Sequence, residues 1–140
     1  MVFFKAQKFQ RLAELEARVQ KAIEEAGAGG LDWAEEALAD AAGMAGFDLE
    51  VARVLDAGSL ATVLGAGREE VAGRVWLAAE TLFLDGVVAR AEGREGDARD
   101  RLGKARRLYR TLGPELHLPE MAARPGERVE RIDALLEGGM

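Results

Sequence analysis

The chain has 140 residues, a length typical of one domain, and its hydrophobic content of 49% is too high for a disordered protein. It contains no cysteine, which excludes disulfides, thiolate catalysis and cysteine-based metal sites. The formal net charge of −6 argues against general binding to nucleic acid. Ala, Leu, Glu and Arg dominate and sustained apolar alternation is absent, so the composition predicts an all-α fold, a compact helical bundle.

The sequence also indicates whether the protein enters a membrane or is secreted. No apolar run approaches the roughly 18 residues that are needed to span a bilayer. The first residues lack the apolar segment of a secretory signal peptide. We therefore expect a cytoplasmic protein with no membrane partner.

Charge is distributed unevenly along the chain. Residues 1–56 carry 11 acidic and six basic side chains, whereas residues 86–112 carry eight basic and four acidic ones. These two regions are expected to face each other, either within one chain or between two chains.

The N-terminal pattern predicts a long first helix over residues 2–26, ended by the glycine-rich segment 27–30. Phe3, Phe4 and Phe9 lie at the exposed start of this helix and need a cover. Two covers are open: packing onto the same domain, or pairing with a second subunit.

Short helices are predicted between the first helix and residue 67. Asp32 is expected to open the second helix, and Asp48 is the expected N-cap of the third. Ser59 is the expected N-cap of a further helical turn over residues 60–64. It is the only serine in the chain, and no glycine-flanked nucleophile motif surrounds it.

The centre of the chain is predicted to be an antiparallel helix hairpin. Its first arm, residues 70–92, is apolar on nearly all sides, a pattern typical of a helix that is covered on several sides. Its second arm, residues 97–112, is apolar on one face and basic on the other. Gly86 is expected to let the arms approach closely, opposite Ala98 or Ala105.

The small residues of this hairpin have the spacing found in a tetratricopeptide repeat, with a helix-A glycine, a turn glycine seven residues later and two helix-B alanines. The matching residues are Gly86, Gly93, Ala98 and Ala105, with large apolar residues at Leu82 and Leu102. Residues 79–112 thus resemble about one such repeat. The resemblance implies a TPR-like hairpin, but it does not imply a peptide-binding groove, which needs several stacked repeats.

Three positions depart from the family pattern. Asp85 stands where an apolar residue is expected, Ala89 replaces the usual aromatic residue, and Arg110 stands where proline is common. The longer order of helices is also similar to that of some small bacterial helical proteins, a likeness that implies no activity.

After the hairpin, the pattern predicts a segment of mostly loop, then a last helix that begins at Pro125. The whole chain is therefore expected to form a single helical domain, 1–140. It divides into a long helix with short connector helices (1–67), the TPR-like hairpin (68–113), and a loop with the C-terminal helix (114–140).

Candidate chemical groups are few. His117 is the only histidine, so no second histidine or cysteine could complete a metal site with it. Glu36 and Asp40 share a helix face, an arrangement typical of solvated surface. The glycine-rich segment 65–68 lacks the Gly-Lys-Ser/Thr of a phosphate loop. We predict no catalytic, cofactor-binding or metal-binding residue, and therefore no enzyme.

The most visible surface feature is an arginine face on the predicted helix 97–112. Arg99, Arg106 and Arg110 lie on one side of this helix, with Arg101, Lys104 and Arg107 nearby. Such a face can neutralise phosphates.

Two functions from different classes follow. The first is a non-catalytic helical interaction or scaffold protein that self-associates, expected to be a homodimer held mainly by the first helix and its phenylalanines. The alternative is a binder of nucleic acid or another anion that uses the arginine face. The net charge disfavours nucleic acid.

Overall fold

The computed structural model describes residues 2–117, 121 and 123–138, without the side chains of residues 2–6, 28 and 138. The helices are α1 (Val2–Ala26), α2 (Ala34–Ala45), α3 (Leu49–Val54), α4 (Ala57–Leu64), α5 (Ala72–Ala91), α6 (Glu95–Tyr109) and α7 (Pro125–Gly138). Short 3-10 helices over Gly27–Gly30 and Glu69–Val71 precede α2 and α5. The described residues contain no strand, so the predicted all-α fold is confirmed.

Helix α5 forms the centre of the bundle. Every residue from 75 to 86 is buried, and α1, α2 and α6 all pack against this helix. A helix that is apolar on all sides gains from burial on all sides, and this is the place that the sequence pattern predicted. One apolar core joins residues from α1 to α7.

Helices α5 and α6 fold back on each other through a turn at Gly93, whose φ of +80° favours glycine. Their contacts run in opposite directions along the two helices: Asp85 meets Arg101, and Glu80 meets Tyr109. The hairpin is therefore antiparallel, as predicted. Helix α6 begins at Glu95, two residues earlier than the predicted start at residue 97.

The close approach within the hairpin occurs at Gly86, but its partner differs from the expected one. A Cβ atom on Gly86 would lie 2.7 Å from Cγ of Leu102 and 3.2 Å from the Leu102 backbone nitrogen. The expectation that Ala98 or Ala105 lies opposite is therefore wrong. The large side chain of Leu102 fills the space that the glycine leaves.

Two of the predicted N-caps are wrong and one is confirmed. Trp33, not Asp32, precedes α2. Asp48 caps α3, where its Oδ1 accepts from the backbone N–H of Glu50 at 2.8 Å. Helix α4 begins earlier than predicted, because Asp56 is its cap and accepts from the backbone N–H of Ser59 at 2.8 Å. Ser59 lies in the first turn instead, and its hydroxyl donates to Asp56.

Helix α1 spans Val2–Ala26, as predicted, and the bundle covers one of its faces. Phe9, Leu12 and Val19 are all buried, and the ring of Phe9 meets that of Trp76 edge-on with centroids 5.2 Å apart. Of the two covers that the sequence left open for Phe9, the structure therefore shows packing onto its own domain, and Phe9 is not available to a second subunit. The side chains of Phe3 and Phe4 lie outside the described residues.

Helix α7 begins at Pro125, as the sequence predicted. It packs against α6, and its Ile132 is fully buried in the core. None of the helices in the described ranges is both long enough and apolar enough to cross a membrane.

Candidate functional site

Four helices each send one polar side chain into the interior, where the four meet. They are Glu16 of α1, Glu80 of α5, Tyr109 of α6 and Arg128 of α7. All four residues are buried. We call this group the buried cluster.

Arg128 is the hub of the buried cluster. Its guanidinium donates to both carboxylate oxygens of Glu16, at 2.9 and 2.5 Å, and to both oxygens of Glu80, at 3.0 and 3.1 Å. The hydroxyl of Tyr109 donates to Glu80 as well. The guanidinium also lies over the ring of Phe83, 4.5 Å from its centroid. Such a planar, forked donor holds two carboxylates in fixed positions.

The electrostatics of the buried cluster follow from its burial. Loss of solvent raises the pKa of Glu80, although the nearby charge of Arg128 opposes this shift. Burial and the charge of Glu80 raise the pKa of Tyr109 well above its ordinary value, which keeps the phenol protonated. Arg128 stays charged, because the charge of Glu80 and the hydrogen bonds of Glu16 outweigh its own burial.

A second group of charges surrounds Asp85, where the tetratricopeptide pattern has an apolar residue. Arg53 of α3 donates to both oxygens of Asp85, at 3.0 and 2.8 Å, and the Nε of Arg101 lies 3.3 Å from the same carboxylate. Arg53 also bonds Glu35 of α2, and this hydrogen bond lowers the pKa of Glu35. These ion pairs join α2, α3, α5 and α6.

Most of the predicted arginine face is occupied within the chain. Arg99 donates to the carbonyl of Leu136 at 3.2 Å, and Arg106 pairs with Asp133 at 2.7 Å, so both bind α7. Arg110 is exposed, and its side chain makes no hydrogen bond or ion pair among the described residues. The structure therefore separates Arg110 from the other two predicted site residues.

Of the other basic residues of α6, Lys104 is bonded within the chain and Arg107 is exposed. Lys104 is buried, and its ammonium donates to the carbonyls of Ala52 and Arg53 at 3.1 and 2.7 Å. Arg107 is exposed and, like Arg110, has no bonded partner in the part of the chain that the structure describes. Only the C-terminal part of the arginine face is open to a partner.

Apolar exposure is concentrated on two short helices. Val51 and Val54 of α3 are 51% and 84% exposed, and Val63 of α4 is 63% exposed. Among the described residues, the fourth exposed large apolar side chain is Leu116, after the hairpin. We call the three valines with the residues around them the α3–α4 surface.

Sequence reasoning missed both the buried cluster and the α3–α4 surface. A signal existed for each. Glu80 is an acid in the middle of an apolar run, and Val51 and Val54 lie off the apolar stripe of their own helix. No pattern links Glu80 to Arg128, which is 48 residues away along the chain.

Within the described ranges, no group of three or more histidine, cysteine or acidic side chains is placed to hold a metal ion. Comparisons with protein-family models, with curated proteins and with solved structures found no match to this chain. The resemblance of residues 79–112 to a tetratricopeptide repeat therefore stays a prediction.

Proposed function

We propose that this chain is a non-catalytic helical interaction protein that forms a homodimer through the α3–α4 surface. The observation that carries the proposal is the exposure of Val51, Val54 and Val63 in a chain that buries most of its large apolar side chains. Val51 and Val54 are three residues apart on α3 and share one face. Two residues join α3 to α4, which bears Val63. Exposed apolar surface of this kind marks interaction sites.

The charges beside these valines favour a second copy as the partner. Glu50 and Asp56 are exposed next to the valines of α3. Arg107 of α6 and Arg110, which directly follows α6, are exposed, and α4 packs against this helix. In a two-fold pair each subunit offers the same surface to the other. The acidic edge of one copy then meets the basic edge of its partner, while the valines of both meet between them.

The arrangement of ionisable groups supports a non-catalytic role. Glu80, Tyr109 and Arg128 bond to one another across the bundle, and Asp85 bonds to two arginines. Side chains that are committed to internal ion pairs hold helices together instead of presenting a reactive group to a substrate.

Sedimentation equilibrium at micromolar concentration tests the proposal. We expect a dimer mass at low salt. Added salt should weaken the association in part, because it screens the charged edges but leaves the apolar contact of the valines. A monomer mass at all concentrations and both salt levels would refute the homodimer.

The alternative function, binding of nucleic acid or another anion, has less support. Arg99, Arg106 and Lys104 bond within the chain, which leaves Arg107 and Arg110 for phosphates. Titration of labelled duplex DNA with the protein separates the two functions. Tight binding that is lost in a variant with both Arg107→Gln and Arg110→Gln would favour the alternative over the homodimer.

A further inference from the structure

The buried cluster contains more acid than base. Its charged groups come from each helix that meets there: Glu16 from α1, Glu80 from α5 and Arg128 from α7, with the Tyr109 hydroxyl from α6. Arg128 contacts both carboxylates, and the three charged residues are each less than one tenth exposed. With both carboxyls ionised, the buried cluster would carry one net negative charge.

A net charge in the interior is costly, and proteins commonly avoid it by keeping an acid protonated. The structure indicates which acid this is. Gln20 donates to Glu16 at 3.4 Å from the exposed side of α1, and the Glu16 side chain keeps 10% of its exposure. The Glu80 side chain keeps 4%, and both of its bonded partners, Arg128 and Tyr109, are buried. Glu80 is therefore the better place for a proton, and burial raises its pKa.

We propose that the buried cluster holds one extra proton on the Glu80 carboxyl, in addition to the proton of the Tyr109 hydroxyl, above the pH at which exposed glutamates ionise. The protein then takes up a proton when it folds and α7 packs onto α1 and α5 through Arg128. Loss of that proton lowers the free energy of unfolding. The buried cluster therefore makes the free energy of unfolding fall as the pH rises.

The direction of this effect follows from proton linkage. A carboxyl whose pKa is raised in the folded state binds a proton more tightly there than in the unfolded chain, where its ordinary value is 4.5. Its contribution to stability is complete below pH 4.5 and is lost as the pH rises through the folded-state pKa. Hydrogen bonds lower the pKa values of Glu35, Asp56 and Asp97, so these groups act in the opposite direction, at lower pH.

Urea unfolding of the full chain at a series of pH values from 4.5 to 8 tests the proposal. One linked proton raises the unfolding equilibrium constant by up to about tenfold per pH unit. We expect this slope in the wild type and its loss in Glu80→Gln, which cannot ionise. Glu36→Gln, the same change at an exposed glutamate of α2, should keep the wild-type slope. Equal slopes in the wild type and Glu80→Gln would overturn the proposal.

Two further variants keep the test decisive if Glu80→Gln does not fold. Tyr109→Phe removes a hydrogen bond that lowers the pKa of Glu80, so the loss of stability should move to higher pH. Glu16→Gln removes a negative charge that raises this pKa, so the loss should move to lower pH. A purely structural role of these residues would change the stability but not shift the two profiles in opposite directions.

Infrared difference spectroscopy gives a direct readout of the proton. A protonated carboxyl has a carbonyl band that a carboxylate lacks. We expect the folded wild type to show more of this band than Glu80→Gln at pH values where exposed glutamates are ionised, and Tyr109→Phe to keep it to higher pH than the wild type. Identical bands in the wild type and in folded Glu80→Gln at every such pH would overturn the proposal.

Discussion

Gly86 shows how one residue sets the spacing of the central hairpin. A Cβ atom there would come within 2.8 Å of two side-chain carbons of Leu102, and within 3.2 Å of its backbone nitrogen. The backbone nitrogen cannot move aside without moving α6. Glycine lowers the helix propensity of α5 by roughly 1 kcal/mol relative to alanine. The close contact with Leu102 explains why glycine nevertheless occupies position 86.

Gly86→Ala should therefore destabilise the protein, by about 1–3 kcal/mol, because overpacking outweighs the gain in helix propensity. Gly103→Ala on α6 is the matched control, since its Cβ would meet no atom within 4 Å. Thermal melts compare the two variants. A Gly86→Ala protein that melts at or above the wild-type temperature would show that the helices can separate freely.

Asp85 departs from the repeat-like pattern, and the structure explains this departure. The pattern expects an apolar side chain there, and the position is indeed buried. The chain places a carboxylate there instead, and supplies Arg53 and Arg101 as its partners. Sequence spacing identified the departure but not its partners, because the ion pairs form only when α3 and α6 pack against α5.

At the scale of elements, α3 depends on interactions at both of its ends. A helix of six residues is too short to form alone. Asp48 binds free N–H groups at its start, and the ammonium of Lys104 binds two carbonyls of its last turn. The positive charge also suits the negative end of the helix dipole. One residue of α6 thus holds the helix that presents Val51 and Val54.

Lys104→Met should destabilise the protein by about 1–3 kcal/mol, because it removes charged hydrogen bonds to buried carbonyls while keeping the aliphatic length of the side chain. Arg110→Met, at the exposed position just after the same helix, should change stability by less than about 0.5 kcal/mol. Chemical denaturation gives both values. If the two variants lose equal stability, the capping role assigned to Lys104 is wrong.

Element type was more predictable from the sequence than element ends. The 3.6-residue pattern identified α1, the hairpin and α7, because long apolar stripes leave little choice of structure. The starts of α2, α4 and α6 were displaced, and the N-cap residues of α2 and α6 make no side-chain cap hydrogen bond. At α4, Asp56 holds the cap position that Ser59 was expected to take. The identity of the capping residue depends on local backbone geometry, and several neighbouring residues can satisfy that geometry.

At the scale of the whole molecule, the long-range polar contacts could not be read from the sequence. Arg128 and Glu16 are 112 residues apart, and only the packing of α7 on α1 and α5 brings them together. The uneven charge predicted that residues 1–56 and 86–112 face each other, and this stays a prediction. Lys104 does bind the end of α3, but through backbone carbonyls, and Arg106 pairs with Asp133, which lies outside residues 1–56.

The burial of α1 changes where a dimer contact is expected. Leu12 and Val19 face the core, and Leu15 and Ile23 pack against it. An interface held by the apolar stripe of the first helix would have to open this core. The α3–α4 surface needs no such rearrangement, because its valines are already exposed.

The most direct test of the account compares the oligomeric mass of two variants by sedimentation equilibrium. One carries Val54→Glu and Val63→Glu, and the control carries Ala17→Glu on the exposed side of α1. These positions are exposed in the single chain, so circular dichroism should show an unchanged fold. We predict a monomer for the double valine variant, because the dimer would bury the new carboxylates, and a dimer for Ala17→Glu. A dimeric double valine variant, or a monomeric Ala17→Glu protein, would contradict the assignment of the interface to α3 and α4.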